Sequence, residues 1–285
     1  MRYDIAIIGS GPAGLSSAIE AKIRNKNIII FGNKDLSNKV SLAPSIENYL
    51  GIPNTTGKDI INNFKKHIEE LDINITEERI NAVYSMGDYF ALMAGDKMYE
   101  STTVILATGV EFTKPIKGEI EFLGKGVGYC ASCDAPLYRD KTVAVLGYND
   151  EAEEDANFLS EIASKVYYIP MKKTKMHLNK NVEIIKDRAI EISGENLVNK
   201  LIFKDYNLDI DGVFVIKDSI SPSHLVPSLE TEGIHIKNNK NLETNIKGLF
   251  VAGDCAGKPY KFMKSAGEGQ IASFMAISYL DSLKK

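Results

Sequence analysis

The run Ile5-Ala-Ile-Ile-Gly9-Ser10-Gly11-Pro12-Ala13-Gly14 constrains the fold more than any other part of the chain. Four successive apolar residues predict a parallel strand covered on both faces. Gly9 allows a tight turn, Gly11 lets the backbone approach a pyrophosphate, and Gly14 lets the following helix pack closely on the strand. Pro12 suits a first helical turn, where its missing N–H is not needed. Leu15, Ala18, Ile19 and Ile23 recur at helical spacing and predict one buried face. Ile28 to Phe31 supplies the next strand, so a βαβ unit is complete by residue 31. This context favours a dinucleotide site over a glycine-rich turn without a ligand. One feature is missing: an acidic residue usually holds the ribose about 20 residues on. Here the position reads Gly32-Asn33, with Asp35 displaced.

A second stretch, Val143-Ala-Val-Leu-Gly147-Tyr148-Asn149-Asp150-Glu151-Ala152, keeps the strand and the first glycine but loses the rest. Asn149 stands where a glycine would permit close backbone approach. Asp150, Glu151, Glu153, Glu154 and Asp155 crowd the helix start. Acidic groups there suit the helix dipole, yet they repel a pyrophosphate that would use the same N–H groups.

Between the two loops lies Cys130-Ala-Ser-Cys133-Asp134. This spacing can close a small disulfide that exchanges with another through a mixed disulfide, and Asp134 is placed to shuttle a proton. The alternative is half of a zinc site. Zinc wants four ligands, but Cys255 is distant and His67, His177, His224 and His235 show no paired spacing, so no metal is expected. Cys255 reads as a small buried residue.

At 285 residues the chain allows two domains. Its net charge of −4 argues against nucleic acid, which needs a dense basic face. No apolar run approaches the roughly 20 residues that span a bilayer, and no basic-then-apolar leader precedes the first strand. No membrane partner and a cytoplasmic location are the expectations. Three cysteines are too few for a stapled secreted fold.

Two further segments carry a resemblance. Thr103-Val-Ile-Leu-Ala107-Thr108-Gly109 and Gly248-Leu-Phe-Val-Ala-Gly253-Asp254 look like the A-T-G and G-D strand ends of the flavoprotein disulfide reductases. The order of glycine loop, A-T-G, C-A-S-C-D, second βαβ unit and G-D resembles the low-molecular-weight thioredoxin reductases along nearly the whole chain. The resemblance implies FAD as the ligand of Gly9, Ser10, Gly11, Pro12, Ala13 and Gly14. Phe31, Gly32, Asn33, Val83, Ala107, Thr108, Gly109, Gly253, Asp254, Gln270, Ile271 and Ala272 would complete its site, with Asn48 beside the isoalloxazine. It also implies that Cys133 faces the flavin, that Cys130 exchanges with thioredoxin, and that Asp134 is the acid–base group.

In that family the inserted domain binds NADPH through a glycine loop and a basic H-R-R-type segment. Here the segment reads Tyr168-Ile-Pro170-Met171-Lys172-Lys173. Lys172, Lys173 and Lys175 could meet a phosphate or simply be solvated. A member without a nicotinamide site resembles the ferredoxin-dependent flavin thioredoxin reductases of anaerobic bacteria, with ferredoxin (or flavodoxin) as donor and thioredoxin as acceptor. Lys258, Lys261 and Lys264 are candidates for guiding an acidic ferredoxin. The family's G-G-Q segment before the asparagine appears as Ser37-Asn38-Lys39. The resemblance further implies a homodimer.

The expected fold is α/β, with two Rossmann-like nucleotide-binding domains. Residues 1–113 and 212–285 would form a discontinuous FAD domain around an insert of 114–211, a degenerate NADPH-type domain carrying the dithiol. Breakers at Thr113-Lys-Pro115 and Asp209-Ile-Asp211-Gly212 mark the crossings. Gly267 to Ala272 is expected to open a helix near the flavin. Rival functions are an NADPH-driven disulfide reductase with a reshaped site, a dithiol oxidase, and a non-enzymatic redox sensor.

Overall fold

The chain divides into two units, Met1–Val110 with Ser221–Lys285, and Glu111–Ile220. The computed structural model describes all residues except 111–114, 130, 173–176, 218–221 and 285, and only the backbone of Asn38, Ser132 and Cys133. The first unit opens with β1 (Arg2–Ile8), α1 (Pro12–Ile23) and β2 (Ile28–Phe31), then α2 (Asn38–Ser41), α3 (Gly57–Glu70) and β3 (Ile75–Thr76). An antiparallel meander follows, formed by β4 (Ala82–Ser85), β5 (Phe90–Ala94) and β6 (Lys97–Leu106).

The second unit begins with β7 (Val127–Gly128), α4 (Ala131–Asp134), a 3-10 turn (Ala135–Tyr138), β8 (Thr142–Gly147), α5 (Glu151–Leu159) and β9 (Lys165–Pro170). It continues through β10 (Val182–Ile184), a meander of β11 (Glu191–Gly194), β12 (Val198–Ile202) and β13 (Asn207–Asp209), and β14 (Gly212–Ile216). The chain then returns with α6 (Pro222–Leu225), β15 (Thr231–Glu232), β16 (His235–Ile236) and β17 (Leu249–Val251). A 3-10 turn (Asp254–Ala256) and α7 (Phe262–Ser282) complete it.

The two units repeat one plan. In the first, the parallel strands stand in the order β3-β2-β1-β6, with β17 also against β6. In the second the order is β10-β9-β8-β14-β7, all parallel. Apart from the short β7 at the edge of the second, each sheet grows outward from a central strand, β1 or β8, and then crosses back through a meander to that strand's other side. Order therefore reverses between β1 and β6, and again between β8 and β14; such switch points open crevices at the carboxyl ends of strands.

Burial on both faces of these sheets accounts for the unbroken apolar runs. Ile5 and Ile7 are fully buried on the α1 and α7 side, each worth about 1.5–3 kcal/mol relative to exposure. Along β8 the side chains alternate: Ala144 and Leu146 meet the β11–β13 meander through Ile192, Val198 and Leu201, while Val143 and Val145 meet α5 through Ala152, Ala156 and Leu159.

Two sequence expectations need correction. Leu15 and Ala18 are buried and Ile19 half-buried, but Ile23 is 61% exposed, on the solvent side of a last turn whose Ala21 is fully buried. The return crossing also comes later than residue 212. Gly212–Ile216 is entirely buried and pairs in parallel with Thr142–Gly147 of the second unit. Gly212 is a glycine because a side chain there would collide with the Tyr138 ring, rather than because the chain breaks. Among the described residues, no helix is long and apolar enough to cross a membrane.

Candidate functional site

The first-unit crevice is lined by four strand ends that hydrogen bonds tie together. Gly9 N–H donates to Phe31 O (2.8 Å), Ala107 N–H to Ile8 O (2.8 Å) and Ala252 N–H to Leu106 O (2.9 Å). Asn33 N–H donates to Ser10 Oγ (3.0 Å), and that hydroxyl donates to Asn33 O (3.0 Å). Gly32 must be a glycine because Ser10 lies where its side chain would project. The four segments Gly9 to Gly14, Phe31 to Asn33, Ala107 to Gly109 and Gly253-Asp254 thus meet at one edge of the sheet.

The three loop glycines have three different causes. Gly9 adopts φ +121°, and a side chain on it would strike the Ala107 carbonyl. A side chain on Gly14 would strike the Gly9 carbonyl, so Gly14 sets the closeness of α1 to β1. Gly11 has an ordinary φ of −80° and nothing within 4 Å of the place a Cβ would fill. No protein atom requires a glycine there, and the open space leaves room for an incoming group.

Other expected contacts are more scattered. Asn48 is exposed on the loop between α2 and α3. Val83 is wholly buried in β4, at the far edge of the sheet. The helix expected to open at Gly267 starts at Phe262, so Gln270 and Ile271 are exposed in its third turn and Ala272 is in the core. Close packing explains the earlier start: Gly269 abuts the Ala13 carbonyl, and Ser17 Oγ bonds Gly269 O at 2.8 Å. Gly269 fits a helix pair and does not break it.

Cys130 and the Cys133 side chain, and with them the expected disulfide, lie outside the described residues; the Cys133 backbone belongs to α4. Asp134 is half-buried, its carboxylate against the backbone of Gly128, where a Cβ would sit 2.7 Å from Oδ2 and 3.4 Å from the Phe214 ring. Burial in this apolar setting pushes its carboxyl above the ordinary aspartate range. Cys255 is fully buried, its Sγ 3.3 Å from Ala252 O, and burial pushes its thiol up.

The second-unit crevice, between β8 and β14, is filled by the protein's own side chains. Tyr148, Glu119 and Lys217 are 5%, 1% and 5% exposed. Lys217 Nζ contacts Glu119 Oε1 and Oε2 at 2.7 and 3.0 Å and lies 5.2 Å from the Tyr148 ring centre. Glu119 also accepts from Tyr129 Oη (3.1 Å) and Ile116 N–H (2.9 Å). At the start of α5, Asn149 Oδ1 accepts the Ala152 N–H at 3.2 Å, using a donor a phosphate would need. The acidic cluster is less uniform than the sequence implied, since Glu153 is buried and accepts the His177 N–H at 2.6 Å. Lys172 is exposed; Lys173 and Lys175 lie outside the described residues.

A profile described as pyridine nucleotide-disulphide oxidoreductase matches residues 3–270. The chain belongs to that family. It is 32% identical to a thioredoxin reductase of Ureaplasma parvum, over 98% of this chain and 97% of that one. Among solved structures it is similar to a ferredoxin–flavin thioredoxin reductase from Clostridium acetobutylicum, at 56% identity, TM-score 0.92, and 100% and 99% coverage of the two chains. It is also similar to a thioredoxin reductase from Gloeobacter violaceus, at 26% identity, TM-score 0.82, and 100% and 96% coverage. Thioredoxin reductases of this disulphide oxidoreductase family are FAD-binding flavoproteins, and the first crevice fits that group: the open space at Gly11 suits a pyrophosphate.

Several contacts of this disulphide oxidoreductase escaped the sequence reading. Lys39 Nζ donates to Val110 O at 2.5 Å, reaching the end of the A-T-G strand from the segment that departs from the family pattern. Lys264 is no free surface cation: it bonds Gly253 O, Gly257 O and Glu268, which leaves Lys258 and Lys261 as the exposed members of that basic run. The Glu119–Lys217 pair spans 98 residues and carries no local signal.

Proposed function

We propose that this chain is a thioredoxin reductase that takes electrons from reduced ferredoxin through FAD and the Cys130–Cys133 disulfide. The observation that carries the donor assignment is the filling of the second crevice by Tyr148, Glu119 and Lys217. A nicotinamide dinucleotide would have to displace a buried ion pair, and leaving either charge unpaired costs about 3–5 kcal/mol. The similarity to the ferredoxin–flavin enzyme supports the same donor.

In this reading the loop from Gly9 to Gly14, with Phe31 to Asn33, Ala107 to Gly109 and Gly253-Asp254, holds FAD. FAD, when bound, takes electrons singly and releases them as a pair, which a dithiol cannot do alone. The disulfide accepts the pair at Cys133, and the Cys130 sulfur leaves as a thiolate. Asp134 supplies the proton; its burial raises its pKa and so favours the protonated form that can give it. Cys130 then attacks the thioredoxin disulfide. Cys133 resolves the mixed disulfide, which releases the thioredoxin dithiol and closes Cys130–Cys133 again. Lys258 and Lys261 offer positive charge to an acidic ferredoxin. The enzyme works in the cytoplasm as a homodimer, and the exposed Ile271 and Phe274 on α7 offer apolar surface for a second copy.

A coupled assay with NADPH, NADH and reduced ferredoxin as donors to thioredoxin decides the matter. Ferredoxin should support turnover, while both nicotinamides leave the flavin absorbance unchanged. Rapid bleaching by NADPH would sink the assignment.

A further inference from the structure

The first turns of α7 close over the Gly253-Asp254 turn. Lys264 Nζ donates to Gly253 O at 3.1 Å and Gly257 O at 2.6 Å, and pairs with Glu268 at 3.0 Å. Glu268 Oε2 in turn accepts the Gly253 N–H at 3.0 Å. Both main-chain polar groups of Gly253 are therefore held by one pair of side chains four residues apart on a helix. Ser265 Oγ lies 3.4 Å from Asp254 Oδ1.

An i,i+4 ion pair on a solvated helix face adds little stability and needs no partners outside the helix. This pair differs on both counts. Each side chain is only 19% exposed, and the three N–H donors of the ammonium meet two loop carbonyls and a carboxylate. The loop it grips needs holding, because Gly253 stands at φ +86°, ψ −150°, and Gly257 at φ +138°. Glycines in such conformations gain no support from their own side chains and lose the most freedom when fixed.

We infer that Lys264 and Glu268 are positioning residues that hold the Gly253-Asp254 turn in the form that receives the ribityl–phosphate part of FAD. The inference rests on the flavin reading of the first crevice. Hydrogen bonds to charged groups are the stronger kind, and two of them fix the peptide groups on either side of Gly253, the residue before Asp254.

The test is titration of FAD into flavin-free protein, with thermal melting of the same flavin-free samples. Lys264→Met should weaken FAD binding about tenfold or more and lower the flavin-free melting temperature little. Glu268→Gln, whose amide oxygen can still accept from Gly253, should weaken it less than Glu268→Ala. A purely structural pair would lower the melting temperature and leave FAD affinity intact, which overturns the inference. Should Lys264→Met fail to fold, Glu268→Ala decides in the same assay: unchanged affinity refutes, weakened affinity supports. Wild-type protein without FAD affinity would instead defeat the flavin reading.

Discussion

Gly11 is a loop residue whose identity the protein alone does not explain, and this makes it a sensitive probe. Gly11→Ala should fold normally, since its φ is ordinary and its surroundings open, but should release FAD readily when dialysed. Gly14→Ala should cost at least about 1–3 kcal/mol by forcing α1 off β1, seen as a lower melting temperature of the flavin-free protein. Asp134 gives a second probe, with a sign fixed by its surroundings. Its folded pKa lies above the unfolded value. Its contribution to stability is therefore complete below the unfolded pKa and is lost as pH rises through the folded one. Asp134→Asn should flatten that decline in a melting series from about pH 4 to pH 8. It should also slow thioredoxin reduction by roughly a hundredfold, the usual scale for losing a general acid.

Two helices show how far an element can be read from its own residues. The first, α1, was legible because its start signals are local: Pro12, the glycines before it and the apolar spacing behind it. The start of α7 was not, since Gly269 looks like a breaker until Ala13 and Ser17, over 250 residues away, are seen to pack against it. The acidic run opening α5 was legible as hostile to phosphate, but not the Asn149 cap that takes the helix's N–H. Asn149→Ala should destabilise the second unit by about 1 kcal/mol, read from denaturant unfolding. Asn149→Gly restores the glycine yet should not restore NADPH use, because the filled crevice behind it is unchanged; a stopped-flow trace of the flavin band would show no bleaching on mixing with NADPH.

On the scale of the whole molecule, the two units share one strand plan and differ at their switch points, one open at Gly11 and one packed with side chains. The duplication was visible in the sequence through paired strand–glycine motifs. The difference was only half visible, because Glu119 and Lys217 become neighbours through folding alone. Cys133→Ser should abolish thioredoxin turnover and keep the yellow colour of bound FAD; undiminished activity would move the chemistry elsewhere. The Glu119–Lys217 couple has one more consequence. Replacing either member alone strands its counterpart in the interior, whereas exchanging both for apolar groups of like bulk should be nearly neutral. The two positions can change only together, so a double-mutant cycle should return a large coupling energy, and inherited variation should keep or lose the couple as a unit.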